Sequence, residues 1–232
     1  MEPADTRDKL VLAAERLFAE KGIDTVSLRE INRAAGQKNV AALHYHFGTR
    51  DALLTAIFER RMAGINRRRV ALLDEMEAAG PVTDVRAVVA AMVLPLAEQL
   101  EPARGGQHYV RFLAQAMSDP TVDVGALVRG RFDEGMARTR DMLRRLLAGL
   151  PPTVVEQRIR QAVAHFVHAL ADKARRDARA RPARRAGANP VINLGGTALF
   201  VANLIDSISG ALTAPVSGET MALLAEGARK TA

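Results

Sequence analysis

SLREINRAAGQKNVAALHYHFGTRD, residues 27–51, holds two short helical patterns separated by a polar break. Ser27 followed by Glu30 is a capping box: the hydroxyl accepts the third backbone N–H of a new helix while the carboxylate reaches back to the cap. Leu28, Ile31 and Ala35 recur at helical spacing and give that helix one apolar face, with Arg29, Glu30 and Arg33 toward water. Gly36 ends it, because the residue that enters the left-handed region past a helix is usually glycine. After the polar turn Gln37, Lys38, Asn39, a second helix fits Val40 to Phe47, with Leu43 and Phe47 on one face. Lys38, Asn39, Ala41, Ala42 and His44 then lie on the open side, an edge slim enough for a major groove. The outline is a helix-turn-helix.

Working outward, Asp5 to Lys21 places Leu10, Val11, Ala14, Leu17 and Phe18 at helical spacing, with Asp5 or Thr6 as the N-cap and Gly22 as the stop. Leu17, Phe18, Ile23, Val26, Leu28, Ile31, Leu43 and Phe47 form the core of a three-helix unit. Thr49 caps a further helix that runs through Leu53, Leu54, Ile57 and Phe58 to about Ala78, closed by Gly80-Pro81. The Arg67-Arg68-Arg69 run on it reads as a solvated outer face.

The runs Ala34-Ala35-Gly36, Leu43-His44-Tyr45-His46-Phe47 and Gly48-Thr49-Arg50-Asp51-Ala52-Leu53-Leu54 resemble the DNA-binding domain of tetracycline-repressor-like (TetR-type) one-component regulators. With the preceding helix and the Gly22 to Val26 link, the resemblance covers about the first quarter of the chain. The span from Gly36 to Phe47 is one residue longer than the commonest form of the motif, and Asn32 stands where the family usually has a small alanine. The resemblance implies an all-α protein with a helix-turn-helix DNA-binding domain at 1–50, the first turns of the connecting helix extending it to about 58. A ligand-binding and dimerisation domain at 51–232 follows. It implies a cytoplasmic homodimeric repressor that binds a palindromic operator in double-stranded DNA and is released by a small hydrophobic effector, with no enzymatic activity and no cofactor. By that resemblance His44 and Tyr45 lie at the groove, and Tyr45 and His46 near phosphates. Arg50 takes a phosphate at the helix end opened by Thr49, where the family commonly has Lys. Lys38 and Asn39, with Val40, Ala41 and Ala42, reach toward bases, and Thr25, Ser27 and Arg29 toward the DNA backbone.

A chain of 232 residues is long enough for a full core beside a small domain. Without cysteine it has no disulfide framework, thiolate nucleophile or cysteine metal site, and MEPADTRDKL lacks the basic start and apolar core of a secretory signal. The net charge of +7 does not argue for groove binding. Residues 1–50 carry eight Lys/Arg against seven Asp/Glu, while 173–185 alone carry seven Lys/Arg against Asp177, so the basicity sits mainly in that second segment.

In the larger domain, Asp84 to Leu100 reads as a helix that Pro95 should end or kink. His108 to Met117 carries an apolar stripe, and Val124 to Leu150 reads as one long helix weakened at Gly125, Gly130 and Gly135. From Thr153, Val155, Ile159, Val163, Phe166 and Leu170 form one stripe, and Val167, Ala171 and Ala174 lie beside it, so this helix needs partners on two sides. Residues 175–190 read as a basic flexible connection. Val191 to Leu212 is nearly uncharged, but Asn193, Asn203 and Asp206 favour a buried subunit interface over a membrane span. Candidate interface residues are Val167, Leu170, Ala171 and Ala174 on the first helix, with Leu199, Ala202, Asn203, Ile205, Asp206, Ser209 and Leu212 on the second.

Met92, Leu96, Phe112, Met117, Phe132, Met136 and Phe166 are ordinary core types that also suit an adaptable cavity, with His108, Tyr109 and His165 as its polar residues. The cavity is implied by the resemblance, not by periodicity. Two rival readings remain: a helical metal-dependent enzyme using His165 and His168, one turn apart, and an RNA-binding or scaffold protein using the 173–185 segment. No nearby acidic residue completes a metal set, and the expectation is no metal.

Overall fold

The computed structural model describes residues 3–37, 42–185 and 196–231. They form α1 (Pro3–Lys21), α2 (Leu28–Ala34), α3 (Ala42–Phe47), α4 (Arg50–Ala78), α5 (Val85–Ala97), α6 (Gln107–Ser118), α7 (Val124–Val128), α8 (Glu134–Leu146), α9 (Pro152–Arg185), α10 (Thr197–Thr213) and α11 (Gly218–Thr231), with no strand among the described residues.

Side chains settle where the first helices begin and end. Helix α1 already starts at Pro3, so neither Asp5 nor Thr6 caps it. At its other end the Thr25 hydroxyl donates to the Lys21 carbonyl at 2.7 Å, and Gly22 takes a positive φ of 98°. Ser27 Oγ accepts from Glu30 N–H at 3.2 Å and opens α2. Only that half of the expected capping box forms, because the Glu30 carboxylate instead meets Lys21 Nζ at 2.5 Å and ties α2 to α1. Thr49 Oγ1 accepts from Ala52 N–H at 3.1 Å and opens α4. At 29 residues, α4 spans about 43 Å.

The three-helix core forms as read: Leu17, Phe18, Ile23, Val26, Ile31, Leu43 and Phe47 are buried, and Leu28 packs at its margin. Helix α1 rests chiefly on α6, where Phe18 and Phe112 stack with centroids 6.2 Å apart. Phe58 of α4 closes the group, 5.3 Å from Phe112 and 6.4 Å from Tyr109. Beside it, Glu15 of α1 (2% exposed) receives two hydrogen bonds from Arg61 of α4, Nε and Nη2 each at 3.0 Å. The same guanidinium donates to the carbonyls of Arg104 and Gly105, at 3.2 and 3.1 Å.

The larger domain departs from expectation in four places. Pro95 does not stop α5, which continues to Ala97; the proline lies in the last turn, where losing one N–H costs little continuation. Val124 to Leu150 is two helices rather than one, because Gly130 takes a positive φ of 69° and its N–H is held by Asp133 Oδ1 at 2.9 Å. The 175–190 connection is helical as far as Arg185: alanine and arginine are strong helix formers, and Asp172 pairs with Arg175 and Arg176 while Lys173 pairs with Asp177 one turn on. Residues 186–195 lie outside the described residues.

The fourth concerns subunit association. Val167, Leu170, Ala171 and Ala174 are at most 2% exposed within one chain, because α9 packs on α6 along one side and on α10 along another. Both partners that the two-sided helix requires are thus in its own subunit, and these four residues are core. Ile205 and Leu212 of α10 face inward in the same way.

Glu15→Ala removes one member of a buried pair, and we expect a loss of about 3 kcal/mol, or roughly 6–12 °C in Tm, read by calorimetry. An unchanged Tm would show that the pair does not hold α1 to α4.

Candidate nucleic-acid interface and internal cavity

Helix α3 has only six residues, too short to persist alone, and it is fixed by its neighbours. Leu43 and Phe47 bury one side. Asn32 of α2, 2% exposed, places Oδ1 3.2 Å from the Leu43 N–H and so caps the first turn of α3 from the preceding helix. The departure at Asn32 therefore supplies a cap across the turn. Arg7 of α1 covers the Phe47 ring at 5.2 Å. The outward side carries His44 and Tyr45; Tyr45 is 85% exposed, with the half-buried His46 ring edge-on to it at 5.2 Å.

Of the other expected DNA-facing residues, Arg29 is exposed and Ala42 half-buried, while the hydroxyls of Thr25, Ser27 and Thr49 serve as caps and still lie at the surface. Lys38, Asn39, Val40 and Ala41 lie outside the described residues. Arg50 points elsewhere than expected. Its guanidinium donates to the Val26 carbonyl and lies over the Phe18 ring at 5.6 Å, pinning α4 to the link before α2 instead of reaching outward.

The second feature is a cavity of about 250 Å³ between α4, α5, α6, α7, α8 and α9. Leu96, Met117, Met136 and Phe166 line it as expected. Met92 and Phe112 are fully buried core residues away from its wall, and Phe132 also lies off it. His165 is exposed on the outside of α9. His108 sits on a separate groove with Lys9, Leu12, Glu15 and Arg16 of α1, where burial lowers its pKa. Tyr109 is fully buried, its hydroxyl without a partner among the described residues, and burial pushes its pKa far up, so the phenol stays neutral. Val167, expected at a subunit interface, is part of the cavity wall.

Sequence reasoning missed Arg69. It belongs to a run read as solvated, yet it is 2% exposed and lines the cavity; Arg67 is exposed and Arg68 pairs with Glu98 at 3.0 Å. Helical phase held the clue: Met62, Ile65 and Arg69 recur at three and four, on one side of α4. Gly135 also has a role beyond weakening a helix. A Cβ there would meet Asn66 Oδ1 at 2.9 Å and the Arg69 stem at 3.1 Å, so only glycine lets α8 lie this close to α4.

Neither rival reading gathers a site. His168 bonds Ser118 Oγ at 3.1 Å and the Ala164 carbonyl at 2.9 Å, while His165 is exposed, and among the described residues no three His, Asp or Glu side chains converge. Part of the basic segment is tied down internally: Lys173 is 8% exposed and pairs with Asp177, and Arg176 lies over Phe200 at 5.9 Å. Among the described residues no single helix is long and apolar enough to cross a membrane.

Residues 10–57 match the family profile described as bacterial regulatory proteins, tetR family, and residues 90–191 match that of the tetracyclin repressor-like C-terminal domain. Among solved structures, a tetR family transcription regulator from Shewanella sp. PV-4 superposes with a TM-score of 0.54 at 14% identity, covering 87% of this chain and 97% of that one. NalD, the secondary repressor of the MexAB-OprM multidrug efflux pump in Pseudomonas aeruginosa, superposes with a TM-score of 0.51 at 18% identity, covering 93% and 100%. At these identities the two structures speak for the fold.

Asn32→Ala leaves a buried N–H of α3 without its acceptor, which we expect to cost about 2 kcal/mol. The amides of Leu43 to Phe47 should exchange faster while those of α9 change little. Equal acceleration throughout the chain would count against a local cap.

Proposed function

The chain belongs to the tetR family of bacterial regulatory proteins and is a DNA-binding transcriptional regulator, and on that premise we propose that it is a homodimeric repressor, seated on a palindromic operator and released by a small apolar effector. The observation that carries this reading is α4. One unbroken helix contributes Leu53, Leu54, Ile57 and Phe58 to the core around the DNA-binding unit, and Met62, Ile65 and Arg69 to the cavity. From Thr49 to Arg69 is about 30 Å along its axis, so a small tilt at the cavity becomes a shift of α3. A ligand that fits one tilt better than the other changes the separation of two recognition helices, and with it the fit to half-sites one DNA turn apart.

On this reading Tyr45 and His44 meet the groove and its phosphates, His46 orients the tyrosine ring, and Arg29 and the amino end of α4 meet the backbone. Arg50 positions α4. Lys38, Asn39, Val40 and Ala41 remain proposed base readers from the sequence. The two subunits associate through the outer faces of α10 and α11. Large exposed apolar side chains support this: Leu199 (63%), Met221 (48%) and Leu223 (61%) lie on these two helices. Ala202, Asn203 and Ser209 share the outer side of α10, whereas Asp206 is held by Arg86 at 2.7 Å. The regulator would act in the cytoplasm, on the nucleoid.

Tyr45→Ala should lower affinity for the operator in the chain's own upstream DNA by about tenfold or more with Tm unchanged, measured by fluorescence anisotropy and calorimetry. Undiminished affinity would refute the assignment of α3 as the reading edge. Leu199→Glu with Leu223→Glu should yield a monomer in light scattering that protects no palindrome; a persisting dimer would exclude this interface.

A further inference from the structure

We propose that the cavity takes an organic monoanion, an apolar chain ending in a carboxylate, with Arg69 as the group that binds its charge. This rests on reading the cavity as the effector site. The wall around Arg69 is apolar, built from side chains such as Ile65, Leu96, Leu113, Met136, Phe166 and Val167. Among the described residues Arg69 is the one charged side chain on that wall. Arg69 is 2% exposed, and Nη2 donates to the Met92 carbonyl at 3.2 Å, while Nε and Nη1 find no acceptor among the described residues.

Among the described residues no carboxylate pairs with this charge. Three acidic side chains of α4 are engaged elsewhere: Glu59 with Arg7 and Arg131, Asp74 and Glu77 with Arg138. Burial lowers the Arg69 pKa to about 10, so it is still protonated at neutral pH. A buried guanidinium with most of its donors unmet in an apolar wall is costly, and the cost is relieved by an anion that brings its own acceptor oxygens. An alcohol or hydrocarbon of the same length leaves the charge uncompensated. A phosphate-rich conjugate brings more negative charge than one arginine can match. With a volume of about 250 Å³, toward the small end of ligand cavities, the tail is of medium length.

Arg69 is also held in place. Asn66, one turn earlier, accepts the Gly135 N–H at 2.9 Å, and α8 lies against the Arg69 stem at the position where glycine is required. The charge sits on the face of α4, the helix that carries the DNA-binding unit, so pairing it with a carboxylate acts directly on the element whose tilt matters.

The test titrates the full-length protein with decanoate and with decan-1-ol by calorimetry, for wild type, Arg69→Met and Arg69→Lys. In wild type decanoate should bind at least tenfold more tightly than decanol. Arg69→Met should lose that preference by about tenfold or more, while the ligand-free Tm rises because a buried unpaired charge is gone; Arg69→Lys should keep part of it. Equal binding of acid and alcohol to wild type, no binding of either, or an undiminished decanoate preference in Arg69→Met would overturn the assignment. Operator anisotropy is read separately. Decanoate that binds through Arg69 without weakening DNA affinity leaves the carboxylate site standing and defeats the effector reading.

Discussion

The pair between Glu15 and Arg61 sets the geometry on which the rest of the molecule depends. It joins α1, the support of the DNA-binding unit, to α4, and it does so as a two-point, nearly water-free contact that resists both sliding and rotation. Arg61 also holds the Arg104 and Gly105 carbonyls just before α6. A single guanidinium thus fixes α1, α4 and the entry to α6 relative to one another, and the Phe18, Phe58, Phe112 and Tyr109 rings fill the space among them. The attitude of α3 follows, since α3 is hung from this assembly by Leu43, Phe47 and the Asn32 cap.

Arginine recurs in this structural role. Arg111 donates to the Ala19 carbonyl in the last turn of α1 at 3.1 Å, and Arg158 to the Leu212 and Ala214 carbonyls at the end of α10, at 2.9 and 2.5 Å. Arg50 holds a carbonyl too, that of Val26, but in the link before α2 rather than at a helix end. Carbonyls at helix ends lack partners and lie at the negative pole of the helix dipole, so a guanidinium from a neighbouring helix satisfies both demands at once. Part of the positive charge of the chain is consequently spent on joints between helices. These arginines serve as fasteners between neighbouring elements.

Arg69 stands apart from these because its joint is incomplete. Nη2 donates to the Met92 carbonyl, while Nε and Nη1 are buried without an acceptor among the described residues, in a side chain that lines an apolar cavity. The cavity and the DNA-binding unit share α4, and α6 links them a second time through Leu113 at the cavity and Phe112 against Phe18. The two features of the molecule are therefore mechanically continuous through packed side chains rather than through a flexible linker.

What residues 27–51 and their neighbours determined alone was local: where helices start, where glycine ends them, and which side of each is apolar. Ser27, Thr49, Gly22 and Gly36 act within a few residues of themselves, so their signals survive in the linear chain and made the helix-turn-helix legible. Whether an apolar stripe faces its own subunit or another is not local. Val167, Leu170, Ala171 and Ala174 read equally well as core or interface, and only the arrival of α6 and α10 on either side of α9 decided for core. The same holds for charge. Arg67, Arg68 and Arg69 are identical letters in a row, but a helix turns about 100° per residue, so one lands in solvent, one on Glu98 and one in a cavity that exists only after six helices close around it.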